Sequence, residues 1–234
     1  MANTFSVMTS GAFTAAHLAL IPQVERLTKK TVVTAMTYIG TGDTSMPSRL
    51  KRGEVVDIVI VADALLKQFI SDRLVLTEGH RPLARSVIGM AVRAGAPKPD
   101  VSTLDALKRT LLQAKSIGYS PSVSGQYLTT ELLQRLGIAD QVLVKCRQMT
   151  GGERVGDVIA RGDVEIGFQQ MSELLPIKGI AHVTPLPAEA QKPSVFAAGV
   201  AASCPDAAMA RSVIQFLASA AVKDVIAGSG LEVV

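Results

Sequence analysis

Asp57-Ile58-Val59-Ile60-Val61 is a continuous apolar run entered through one carboxylate. It has no polar face to turn toward water, which suits a parallel strand covered by helices on both sides. Reading outward, residues 64–71 carry a helical pattern, and residues 45–52 a shorter one ended by Gly53. Residues 31–38 are β-branched and strand-like, and residues 4–8 read as a further strand. Between those two strands Phe13, Ala16, Leu20, Val24 and Leu27 recur at spacings of three and four, predicting a helix over 12–27 that Pro22 should kink or split. The first eighty residues therefore form a βαβαβα series. Right-handed crossovers wind such a series into a small sheet with helices on both faces.

A second series begins near Ser86, with a strand over 86–93 that runs into the turn Gly95-Ala96-Pro97-Lys98-Pro99. A helix over 103–112, N-capped by Ser102, precedes a strand over 116–119. A helix over 126–136 is closed by Gly137, and a short strand is expected over 142–145. A helix over 154–160 ends at Gly162 and leads to a strand over 164–168. Residues 179–199 are extended and carry Pro185, Pro187 and Pro193, and residues 207–218 and 222–227 are helical. The predicted fold class is α/β: two doubly wound lobes joined by a two-segment hinge, with a ligand cleft between them. Lobe 1 is expected to comprise residues 1–82 plus 188–234, and lobe 2 residues 83–187.

Composition narrows the function. The 234 residues are 48% hydrophobic but hold no Trp, so the core must be built from Ala, Val, Leu and Ile. The net charge is +4, with Lys and Arg scattered rather than run together, which argues against nucleic acid as a partner. Cys146 and Cys204 stand far apart in no ligand-like spacing, so they read as two reduced thiols and no metal site is expected. Neither phosphate-loop fingerprint is present, so nucleotide binding is not expected, and no cofactor is implied. No stretch reaches the ~20 apolar residues of a membrane span. Met1-Ala2-Asn3-Thr4 lacks a basic n-region and an apolar h-region, so the sequence as written is expected to be cytoplasmic, or periplasmic if a signal peptide had been trimmed.

In open α/β sheets ligands bind beyond the carboxyl ends of the strands. The residues there are Thr9-Ser10-Gly11-Ala12, then Gly40-Thr41-Gly42-Asp43-Thr44-Ser45, then Gly118-Tyr119-Ser120-Pro121-Ser122-Val123-Ser124-Gly125, and then Gln169-Gln170-Met171-Ser172. Three of these four loops are rich in Ser, Thr or Gly and open a helix. Helix starts offer unpaired amides and a partial positive charge, and hydroxyls add neutral donors, so such loops can hold a small anion. The same residues also serve as ordinary caps and turns, and the functional reading rests on several loops falling at one edge of two sheets. Ser10, Gly11, Ala12, Thr41, Thr44, Ser45, Ser120, Ser122, Val123, Ser124, Gln169 and Gln170 are the candidate ligand contacts. Arg49 is a further one, able to pair with a carboxylate bidentately, although a solvated helix face explains it as well.

The chain resembles the molybdate-type substrate-binding proteins of ABC transporters, within the type II periplasmic binding protein fold. Thr9-Ser10-Gly11-Ala12-Phe13 matches that family's first anion loop. Pro121-Ser122-Val123-Ser124-Gly125-Gln126-Tyr127, with Glu131-Leu132-Leu133 and Leu136-Gly137, matches its second-lobe loop and helix. Gly152-Glu153-Arg154-Val155 and Ala160-Arg161-Gly162-Asp163-Val164-Glu165-Ile166-Gly167-Phe168 match its helix–strand unit. The tail, with Gln215-Phe216-Leu217 and Gly230-Leu231, also fits. The resemblance implies an oxyanion or carboxylate held between lobes by amides and by hydroxyls such as Ser10, Ser45, Ser122 and Ser124. It implies a monomer, with an ABC permease as partner only for an exported form.

One departure shifts the expected ligand. The family usually places a Tyr after its last strand of lobe 2, where this chain has Gln169-Gln170. Two amide side chains suit a larger carboxylate with more acceptor atoms. Some relatives resemble aconitate isomerase, which moves a double bond in a tricarboxylate. Two functions are therefore expected: an anion-binding receptor or sensor, or a cofactor-free isomerase of a di- or tricarboxylate. The second needs a base, for which His17, Asp43 and Glu153 are candidates that no motif fixes.

Overall fold

The computed structural model describes residues 3–150 and 152–234, apart from the side chain of Met36. Met1, Ala2 and Gly151 lie outside the described residues, and with them the reading of the extreme N-terminus. In chain order the first elements are β1 (Thr4–Thr9), α1 (Gly11–Thr28), β2 (Thr31–Met36), α2 (Met46–Lys51), β3 (Ile58–Ala62), α3 (Asp63–Ser71) and β4 (Arg81–Ser86). Next come β5 (Ile88–Arg93), α4 (Leu104–Gln113), β6 (Ile117–Tyr119), α5 (Val123–Tyr127), α6 (Leu133–Arg135), α7 (Ala139–Val142) and β7 (Cys146–Gln148). They are followed by α8 (Val155–Arg161), β8 (Ile166–Gln170), α9 (Met171–Leu174) and β9 (Ile180–Pro185). The chain closes with β10 (Ser194–Val200), α10 (Ala207–Leu217), α11 (Lys223–Gly228) and β11 (Glu232–Val233).

Two compact units result: Met1–Ser86 with Val195–Val234, and Val87–Ser194. The first holds a sheet of order β11-β4-β10-β3-β1-β2. β1 runs parallel to β2 and β3, and β10 runs antiparallel to β3. The all-buried β3 divides its side chains between two faces. Ile58 and Ile60 meet Phe13, Leu20 and Val24 of α1 and Val213 of α10, whereas Val59 and Val61 meet Leu50 of α2 and Leu66 and Phe69 of α3. This is the two-faced burial that the apolar run predicts.

The second unit holds a sheet of order β7-β6-β8-β5-β9. β6 is parallel to β7 and β8, while β5 is antiparallel to β8 and β9. One face of this sheet carries Leu107 and Leu111 of α4 with Leu128, Leu132 and Leu133. The other carries Val155, Val158 and Ile159 of α8 with Leu174 of α9. Cys146 and Cys204 are both free thiols. Among the described residues no helix is long and apolar enough to cross a membrane.

Several sequence expectations are corrected. Helix α1 passes through Pro22 unbroken, because buried residues on both sides of it, from Phe13 to Val24, hold it against one core. The strand expected over 86–93 is β5, starting two residues later, and Ser86 instead ends β4, a strand of the other unit. The cap of α4 is Thr103, whose hydroxyl accepts from the Ala106 amide at 3.1 Å, while the Ser102 amide donates instead to Asp100. The helix expected from Gln126 starts at Val123 and contains a π-helical turn over Leu128–Leu132. Residues 142–145 are helical rather than extended, and the strand is Cys146–Gln148. The strand expected over 164–168 is β8 and runs two residues further, so Gln169 and Gln170 lie within it, paired to Gly89 and Ile88 of β5. Residues 179–199 hold two strands, β9 and β10, and a single helical turn at Ala188–Ala190.

Candidate ligand-binding site

In the first unit β1, β2 and β3 are parallel, so the loops after them leave one edge of the sheet. Ser10 caps α1, and its amide donates to the Ile60 carbonyl at 2.9 Å. That bond fixes the cap, yet the Ser10 hydroxyl is buried and has no hydrogen-bond partner among the described residues. Gly11 and Ala12 follow as the first helical residues, where amides lack intrahelical acceptors. No acidic side chain occupies the first turn of this 18-residue helix to neutralise its positive end.

The loop after β2 is braced from within. Tyr38 donates its hydroxyl to the Thr41 carbonyl and Thr37 donates its own to the Thr44 carbonyl. Ser45, fully buried, donates to the Gly42 carbonyl at 2.7 Å and lies 3.0 Å from the Ser48 hydroxyl. Thr41, Asp43 and Thr44 are exposed. Arg49 forms a two-point pair with Glu54, Nε to Oε2 at 2.7 Å and the second nitrogen to Oε1. These hydrogen bonds raise the Arg49 guanidinium above its ordinary range and lower Glu54. His17 is buried on α1, with Nε2 2.9 Å from the Thr34 hydroxyl, and burial lowers it to about 4.

In the second unit the loop after β6 and the end of β8 leave the same sheet edge, since β6 and β8 are parallel with Tyr119 opposite Phe168. Ser120, Ser122 and Ser124 form a ladder of hydroxyls, spaced 2.6 Å and then 3.4 Å. Ser122 caps α5 without using its side chain, and Val123 is the first helical residue. Gly125 lets the helix press on the loop: a Cβ there would stand 1.8 Å from the Ser120 carbonyl oxygen. The buried pair at the end of β8 is differently engaged. Gln169 donates from Nε2 to Glu173 at 2.6 Å, and Gln170 donates to the Ser194 hydroxyl at 3.4 Å. The Gln170 carbonyl oxygen and the Ser172 hydroxyl are buried and unpartnered among the described residues.

Glu153 is held in an ion-pair network, 3.0 Å from Arg147 and 2.8 Å from Arg161. The sequence reading missed three groups. Glu173 carries a carboxyl that burial pushes up to about 7, against the lowering pull of the Gln169 bond and the Arg154 charge. No local signal marks it, because Gln169 lies in a strand and Glu173 in the helix that follows. Ser172 is buried within α9 rather than in a loop. Asp63, directly after β3, accepts from His80 at 2.5 Å and Lys67 at 2.7 Å. Burial alone would raise Asp63, and these two bonds hold it below its usual range.

Two sheets of mixed strand direction, each with hydroxyl-lined loops at a parallel edge, define a periplasmic-binding-protein-like α/β protein. The chain belongs to the family described as bacterial extracellular solute-binding protein, which it matches over residues 5–232. It is 36% identical over 230 residues to an aconitate isomerase of a Pseudomonas species, covering 98% of this chain and 87% of that protein. Among solved structures it is similar to the periplasmic molybdate-binding protein of Azotobacter vinelandii, with a TM-score of 0.79 at 17% identity, covering 98% of this chain and 99% of the other. The sulfate-binding protein of Mycobacterium tuberculosis matches with a TM-score of 0.72 at 16% identity, covering 99% of this chain and 87% of the other. At such identities these structures speak to the fold alone.

Proposed function

We propose that the chain binds a small polycarboxylate through the Ser120–Ser124 loop and the polar end of β8, both in the second unit, and moves a carbon–carbon double bond within it, as an aconitate isomerase does. The observation that carries this reading is the polar run at the end of β8. Gln169, Gln170 and Ser172 are buried, and the Gln170 carbonyl oxygen and the Ser172 hydroxyl have no partner among the described residues. Leaving buried polar atoms unsatisfied costs stability, so their retention points to a ligand. A compact oxyanion needs donors only. A polycarboxylate presents several polar groups, and an amide can serve it as donor or acceptor. The 36% identity with an aconitate isomerase over 98% of this chain supports the same substrate class.

The relocation of a double bond by an allylic proton shift requires a base and donors for the charge that develops on the substrate. Helix-start amides and hydroxyls supply the donors without a metal. The serine ladder before α5 fits that role.

A second reading is favoured by α1. Its unneutralised first turn and the free Ser10 hydroxyl would serve a receptor that holds an anion and does no chemistry, which a permease would then accept. A thermal-shift panel of molybdate, sulfate, citrate, cis-aconitate and trans-aconitate, followed by proton NMR of each hit in deuterated water, separates the two. Stabilisation by aconitate with solvent exchange into its methylene supports the isomerase. Stabilisation without exchange supports the receptor.

A further inference from the structure

We infer that Glu173 is the residue that moves the substrate proton, and that Gln169 is its positioning residue. The inference deepens the isomerase reading and rests on it. One carboxyl oxygen of Glu173, Oε2, accepts from Gln169 Nε2 at 2.6 Å, which fixes the side chain. The other, Oε1, makes no hydrogen bond among the described residues, and the residue as a whole is half-buried. One oxygen anchored and one oxygen free is the arrangement a proton-transfer group needs. On the same short segment the Gln170 carbonyl oxygen and the Ser172 hydroxyl are buried and unpartnered among the described residues.

The other candidate bases lack this combination. His17 is packed beneath α1 against Thr34. Glu153 already carries two guanidinium partners. Asp43 lies exposed on a turn, with nothing to desolvate it. Glu173 is desolvated to about 7, so near neutral pH it is populated both as base and as acid.

The step balances without an oxidant or reductant. Oε1 takes a proton from the methylene carbon beside the alkene, and the C–H electron pair becomes the new C=C bond. The old C=C pair shifts to the far carbon, which takes a proton from the Glu173 carboxyl or from water. Elements β5, β8, β9 and α8 lie against α9, and bring Arg93, His182, Asp157 and Arg161, with Arg154 at the α8 cap. Of these, Arg154 is the one whose charge acts on the Glu173 carboxyl.

The test compares wild type, Glu173→Gln and Gln169→Leu with cis- and trans-aconitate in deuterated water. Glu173→Gln should lose isomerisation and deuterium uptake by at least ~100-fold, with the aconitate-induced thermal shift retained. Gln169→Leu should keep residual activity and move the alkaline rise of the rate to higher pH, because the lost bond favours the ionised form. Wild-type rates in Glu173→Gln, beside an active wild type, overturn the inference and leave the isomerase reading standing. An unchanged pH profile in Gln169→Leu overturns the positioning role. A wild type that binds aconitate yet exchanges no proton overturns both inference and reading.

Discussion

Gly125→Ala should disable the serine ladder while leaving every hydroxyl in the sequence. The alanine Cβ would stand 1.8 Å from the Ser120 carbonyl oxygen and 2.7 Å from Tyr119 Cδ2. Contacts of this kind do not fall below 3.0 Å, so the Ser120 peptide must retreat by 1.2 Å, the difference between 3.0 and 1.8. The φ of Gly125 is not in the left-handed region, so the penalty is one of space, not of backbone conformation. The obstacle is main chain rather than a flexible side-chain tip. Overpacking of this kind costs about 1–3 kcal/mol. For a chain of this size that lowers the melting temperature by about 2–12 °C. The 2.6 Å contact between Ser120 and Ser122 opens with the peptide. Displacements near 1 Å can cost roughly 100-fold at a positioned site. We expect citrate and aconitate to bind at least ~10-fold more weakly, read by calorimetry beside a ligand-free melt. An alanine variant with the wild-type melting temperature and wild-type affinities would refute the claim that the Gly125 contact sets the ladder.

Further expectations follow from single groups. Ser10→Ala removes a buried hydroxyl that is unpartnered among the described residues, so the ligand-free melt should not fall, while loss of a bond to a charged ligand weakens anion binding by about 10- to 100-fold. A destabilised Ser10→Ala with intact affinity would contradict that assignment. Glu173 moves from 4.5 to about 7, so the folded state holds its proton longer than the unfolded chain does. Wild type therefore loses stability as pH rises from 4.5 to 7, and Glu173→Gln should be more stable above pH 7 by about 3 kcal/mol, with no difference below pH 4, in urea melts. His17 moves the other way, from 6.5 to about 4, and burial keeps it neutral. Its contribution is present above pH 6.5 and is lost by about 3 kcal/mol as pH falls to 4, so His17→Gln should flatten that acid limb.

Much of this fold is written locally. The run Asp57–Val61 carries its own evidence of two-faced burial, and α1 falls where the three- and four-residue spacing from Phe13 to Leu27 places it. What escaped depends on tertiary partners. The break between Ser86 and Ile88 is set by pairing, because β4 joins one sheet and β5 the other. Residues 142–145 look β-prone, yet Val142 is buried as the last residue of α7. Gln169 and Gln170 read as a loop because polar residues rarely end a buried strand without a partner, and here Glu173 and Ser194 supply partners. Glu173 itself is an ordinary surface-type residue by sequence. Only its burial against Gln169 and near Arg154 gives it an altered acidity.

The central claim is chemistry on a polycarboxylate in a solute-binding fold, and wild-type protein with trans-aconitate in deuterated water tests it most directly. Proton NMR should show cis-aconitate appearing together with loss of methylene protons to deuterium. A rise in melting temperature with trans-aconitate, without new isomer and without deuterium in recovered substrate, would contradict the claim and leave a receptor.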